Sequence, residues 1–331
     1  RERCLFKYRG HLIEQRGLGL LAPSTVSSRM SAVIRFYRWA QVYGWIERKE
    51  LWEDQMKTLR FYTTVGLERT MGVLSSELSI PNRKNTSLSL EDGLLPITTE
   101  NRNVLLRFLA DQRQVELSLM FLLGFFTGAR SETIRTLRLS SIEYAIDDGN
   151  YPGMKSLKVG PGTGVKTKFD VPGTLRVPDP LIKALEQYAY SPRRAIRMAR
   201  ASKVDKGLLF LTERGNQYRE TSFTKLISRL RERLIDAGLT QFREFKFHQS
   251  RATFGTQLMA IALDKLPKKG DAIRFVRDAM FHKDESTTWK YVTFVEQSPV
   301  REQLSSEFFN LFTGASTSKQ MQSLISEVVY E

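Results

Sequence analysis

Residues 117–126 read LSLMFLLGFF, ten positions without a charge, interrupted only by Ser118 and Gly124. A helix that crosses a bilayer needs about 20 apolar residues, so this run is too short to span one and is expected as a helix buried in a protein core. A chain of 331 residues with 41% hydrophobic side chains has the material for two ordinary domains. Its single cysteine, Cys4, excludes an intramolecular disulfide and a cysteine-based zinc site. That fits a reducing compartment and makes the cytoplasm the expected location. No signal peptide is visible, and an opening on Arg1 leaves room for a segment upstream.

The charge is one-sided. Against 36 Asp and Glu stand 51 Lys and Arg, for a formal net charge of +15, in clusters interleaved with aromatic residues along the whole length. Solubility asks for only about 2 to 8 net charges on a small domain. The excess points to a polyanionic partner, nucleic acid above all.

Along the chain, STVSSRMSAVIRFYRWAQVYGWI at 24–46 has a Ser/Thr start, helical spacing through Val26, Met30, Val33, Ile34 and Tyr37, and a stop at Gly44. Arg29, Arg35 and Arg38 lie on its other faces and are candidate DNA contacts, so a small helical DNA-binding unit is expected over 1–78. Residues 79–98, SIPNRKNTSLSLEDGLLPIT, lack periodicity and read as a linker. A second unit then runs over 99–300: helices at 99–112 and 114–126, a turn at Thr127-Gly128-Ala129, strands at 155–167 and 174–178, and helices at 180–190, 221–237, 250–262 and 271–280. A basic excursion, RRAIRMARASK, occupies 193–203, and a tail follows at 301–331.

Three short segments carry chemistry. FKFHQSRATFGTQL at 245–258 sets His248 three residues before Arg251, on one face of a helix. TGARSETIRTLRL puts Arg130 after a tight turn at the head of a short helix, where backbone amides favour an anion. FHKDESTTWKYV places His282 nine residues before Tyr291.

In this order and spacing, residues 95–295 resemble the tyrosine recombinase (phage integrase) family. The resemblance implies a mainly helical fold with a small β-sheet: a helical core-binding (SAM-like) domain followed by a mixed α+β catalytic domain. It implies Arg130, His248, Arg251 and His282 around the scissile phosphate, with Tyr291 as nucleophile. It also implies a β-hairpin lysine, either Lys166, whose spacing to Gly173 is closer to the family pattern, or Lys168. Lys168, if not the acid, is a further candidate DNA contact. The chain departs from the family in three places: Glu132 stands second after Arg130 where an acidic residue is usually third, Phe281 replaces the common glycine before the second histidine, and PKKGD adds a loop.

The chemistry such a set performs needs neither metal nor nucleotide, and no cofactor or metal is expected. Two guanidiniums fork onto nonbridging oxygens, histidine moves the tyrosine proton and lysine protonates the departing 5′ oxygen. A free tyrosine has a pKa near 10, so the cationic pocket has to supply about 4 kcal/mol to favour phenolate near neutrality. The expected product is a 3′-phosphotyrosyl DNA that conserves the bond energy for ligation. The expected partners are double-stranded recombination sites, as in a mobile genetic element, with a homotetramer assembled on them at the nucleoid and no membrane. Within the tail, SSEFFNLFTGA at 305–315 fits either docking onto a neighbouring subunit or packing on its own core. A type IB topoisomerase and a non-catalytic basic DNA-binding protein are the alternatives.

Overall fold

The structure, a computed structural model, describes residues 4–46, 51–62, 68–82, 90 and 94–297. The tail expected at 301–331 lies outside these. The chain divides into two compact units, Arg1–Ser87 and Leu88–Glu331.

In the first unit, α1 (Cys4–Gly17) and α2 (Pro23–Val42) precede a hairpin of β1 (Asp54–Tyr62) and β2 (Glu68–Ser76), paired antiparallel from Asp54↔Ser76 to Tyr62↔Glu68. Pro23 opens α2 at a position where no amide donor is needed. Val26, Met30 and Ile34, four apart, form its buried stripe and meet Leu5 and Leu12 of α1. The expectation of a wholly helical unit over 1–78 fails at the hairpin. Thr58, Thr70 and Val73 favour a strand, and Gly72 disfavours a helix. Arg38 donates to Asp54 at 2.7 Å and so ties α2 to β1.

The ends of the expected linker are folded. Ile80 is buried in the first unit's core and Leu90 in the second's, while the Ile97 amide donates to Thr253 Oγ1 at 3.0 Å. Residues 83–89 and 91–93 lie outside the described part.

The second unit is built around the apolar run. It forms α4 (Val115–Thr127), buried on nearly every face by α3 (Thr99–Asp111), α5 (Ser131–Arg135), α7 (Asp179–Ala189), α10 (Gln249–Lys265) and one strand of the sheet. After α6 (Leu139–Glu143), that antiparallel sheet runs β3 (Ile146–Asp147), β4 (Met154–Val159), β5 (Gly173–Pro178), in register from Met154↔Pro178 to Val159↔Gly173. The strand expected over 155–167 stops at Val159, because Gly160, Gly162 and Gly164 all take left-handed φ (100°, 84° and 72°). A long turn over 160–172 replaces its second half. A second core gathers α10, α11 (Lys269–Ala279) and α12 (Glu285–Gln297), with Met259, Val276, Met280 and Tyr291 at its centre.

The basic excursion is largely internal. On α8 (Pro192–Ala199), the Arg194 guanidinium donates to the carbonyls of Lys206, Leu208 and Leu209 at 3.0, 2.7 and 3.1 Å. Arg197 donates to Leu211 O at 2.6 Å, and Arg193 and Arg197 both pair with the buried Glu116 of α4, at 2.7 and 3.0 Å. These arginines staple the 206–211 segment, which precedes α9 (Glu220–Asp236), to the end of α4 opposite Arg130. Burial, assisted by the Glu116 charge, pushes the Tyr218 phenol up to about 12. Removing one partner of a buried ion pair typically costs about 3–5 kcal/mol. Glu116→Ala is therefore expected to lower the unfolding free energy by about 3 kcal/mol in urea denaturation. A loss under about 1 kcal/mol, the scale of a surface pair, would show that the cluster does not hold the fold.

Candidate active site

Arg251 organises the site. It lies in the first turn of α10, is 2% exposed, and its two terminal nitrogens donate to Gly128 O at 2.5 Å and to Met280 O at 2.8 Å. One buried guanidinium thus joins the turn before Arg130, the HxxR helix and the end of α11 just before His282. Buried carbonyls left without a donor are costly, so this fork fixes the three segments together.

Glycines make the approach possible. Gly128 caps α4 in the left-handed conformation (φ 65°), and a Cβ on it would fall 2.4 Å from the Phe254 ring. On α10, a Cβ on Gly255 would lie 2.5 Å from Met280 Sδ and 2.6 Å from Tyr291 Cε1, so α12 rests directly on that helix backbone.

Arg130 is half-buried at the N-cap of α5, with extended backbone (φ −71°, ψ 152°). Its helix neighbour Arg135 points elsewhere: it donates to Tyr218 O at 2.6 Å, and burial lowers its pKa against the opposing fields of Glu132 and Glu220. His248 is half-buried at the N-cap of α10. His282 is buried, with Nδ1 2.8 Å from Thr288 Oγ1, and its ring stacks on that of Tyr291 at 5.9 Å and 26°. Thr288 is the residue that sequence reasoning passed over; the STT run before Tyr291 carried the signal.

Tyr291 itself is fully buried in the second core. The sequence predicted no such cover. Arg251 and His282 are also enclosed.

Lys166 is exposed, and its amide donates to Thr136 Oγ1 at 2.9 Å, which fixes the middle of the turn to the segment following α5. Lys168 is also exposed, with Nζ 5.3 Å from the centre of the Phe169 ring. Arg29 and Arg35 are exposed on α2 in the first unit, whereas Arg38 is engaged with Asp54. Among the described residues no group of three or more His, Cys, Asp or Glu could hold a metal, and no helix is long and apolar enough to cross a membrane.

Comparison with known proteins follows the same lines. The family profile described as "Phage integrase family" matches residues 97–297. A solved structure of the Tn1549 transposon integrase in complex with a circular intermediate DNA superposes with a TM-score of 0.53 at 14% identity, covering 92% of this chain and 85% of that one. Another, of the same integrase with transposon right end DNA, gives 0.52 at 13% identity over the same shares, 92% and 85%. A XerA recombinase structure gives 0.42 at 20% identity, covering 65% of this chain and 66% of that one. No curated protein matches the chain by sequence. The likeness to the two Tn1549 integrase structures establishes the fold, mainly helical with small sheets. With its family profile covering more than half of its length, the chain belongs to the phage integrase family of tyrosine-type site-specific DNA recombinases.

Proposed function

We propose that Tyr291 attacks the scissile phosphate of a recombination site and that Arg130, Arg251, His248, His282 and a lysine of the 160–172 turn carry the reaction. The Tyr291 oxygen bonds to phosphorus as the bond from phosphorus to the 5′ oxygen breaks. The phenol proton passes to His248, and the lysine, Lys166 before Lys168, delivers a proton to the departing oxygen. Arg130, Arg251 and His282 neutralise the pentacoordinate phosphorane. In the reverse step a 5′ hydroxyl attacks the 3′-phosphotyrosyl and tyrosine regains its proton. An incoming strand from a second duplex makes this an exchange, carried out by a homotetramer on two sites. Because Tyr291 is covered, α12 shifts when DNA binds.

The observation that supports this most is the Arg251 fork onto Gly128 O and Met280 O, which draws three separate motif segments into one pocket. The test is strand exchange between two distinguishable duplexes carrying the site, in chelator and without nucleotide. Recombinant junctions are expected. Relaxation of supercoiled DNA without exchange would favour a topoisomerase instead.

Residues 1–78 act as the core-binding domain, with Arg29 and Arg35 on phosphates. Both units contact the duplex. Each phosphate contact adds about 0.9 to the negative slope of log affinity against log salt. The full chain is therefore expected to bind with a steep slope, and a fragment beginning at Leu88 more weakly with a shallower one. Equal affinity and slope for both would remove the first unit from the DNA interface.

A further inference from the structure

Phe281 occupies a backbone position made for glycine. The α11 helix ends in a Schellman motif: the His282 amide donates to Arg277 O at 3.0 Å and the Phe281 amide to Asp278 O at 3.3 Å. The residue between these turns, Phe281, therefore takes left-handed φ, 52°. An aromatic side chain is disfavoured there, so something must hold it.

What holds it is the hairpin. The Phe281 ring lies on the bare Cα of Gly173, the first residue of β5, where a Cβ would come within 2.4 Å of the ring. Phe281 packs against the core that contains the sheet, while Met280 just before it belongs to the other core. A second tie joins the same two segments: Lys283 Nζ sits 5.8 Å from the centre of the Phe169 ring, which Lys168 also approaches. The turn is closed internally by Thr167 Oγ1 donating to Val171 O at 2.7 Å. The lysine-bearing turn is thus anchored at its middle, at Lys166, through Thr136 beyond α5, and at its end through Phe281, beside His282.

We infer that Phe281 is a positioning residue that holds the lysine-bearing turn against the His282 segment, setting the distance between the proton donor and the leaving 5′ oxygen. The inference rests on the reading that a lysine of this turn is that donor. A residue that only filled core space would slow cleavage of every substrate alike. One that positions the acid matters only when the leaving group needs a proton. A bridging sulfur in place of the 5′ oxygen leaves as a thiolate and removes that need.

The test compares Phe281→Gly with the wild-type chain on nicked substrates carrying either bridging oxygen or bridging sulfur, with Lys166→Ala and Lys168→Ala alongside. Glycine suits the left-handed position, so this variant keeps its turn. Cleavage of the oxygen substrate is expected to fall about tenfold or more, as for a misplaced reacting group, and cleavage of the sulfur substrate to match wild type. Gly173→Ala, which drives a Cβ into the ring, should show the same pattern, and combining it with Phe281→Gly should add nothing. Equal losses on both substrates, or a wild-type rate on oxygen, overturn the inference while rescue of a lysine variant by sulfur leaves the donor reading intact. If neither lysine variant is rescued, the donor reading fails and the inference falls with it.

Discussion

Tyr291→Phe is expected to abolish the covalent complex with DNA and to leave site binding nearly intact. The phenolic oxygen is the only atom removed, and it contributes nothing to the phosphate-neutralising charge on which affinity rests. Because Tyr291 is packed against Gly255 and the His282 ring in a sealed core, phenylalanine keeps the apolar contacts and the fold. The measurement is a denaturing gel of a nicked suicide substrate beside a binding titration. A covalent band from the variant would remove Tyr291 from the nucleophile position.

Arg130→Ala and Arg251→Ala each lower the cleavage rate by about 10² or more, the loss expected for a charged transition-state donor. The structure separates them by a second readout. Arg130 is half-buried at a helix start. Arg251 bridges two buried carbonyls, and its removal also costs about 2 kcal/mol or more of stability. Arg251→Lys rescues neither, since an ammonium does not reproduce a planar fork. Near-wild-type cleavage by either alanine variant would break the account, and unchanged stability in Arg251→Ala would show that the fork does not hold the segments together.

The catalytic unit was more legible than the first. The apolar run 117–126 predicted the central helix because a helix without a charged face has to be enclosed, and α4 is. The three motif segments stood out because their residue types and spacings resemble the family's, and the Arg251 fork joins them in the fold. The hairpin at 54–76 was not, since β propensity over two short strands is weak and depends on what they pack against. The RRAIRMARASK run stood out only as a basic excursion, and nothing local showed that Arg194 and Arg197 are buried. Their partners, Glu116 and the carbonyls of 206–211, are long-range contacts with no local signature. Phe281 was visible as a departure from the family's glycine, but its compensation by Gly173 lies more than a hundred residues away and exists only in the fold. The cover over Tyr291 is likewise a tertiary fact, produced by the absence of a side chain at Gly255.

The central claim is that one tyrosine stores the energy of the broken DNA bond. It is tested by trapping the adduct on a nicked substrate, digesting the protein and locating the nucleotide-bearing peptide by mass spectrometry. The account predicts a 3′-phosphate esterified to Tyr291 and a free 5′ hydroxyl on the released strand, formed in chelator and without nucleotide. An adduct on another residue, a 5′-phosphate linkage, or cleavage that requires a metal ion and leaves no adduct would contradict it.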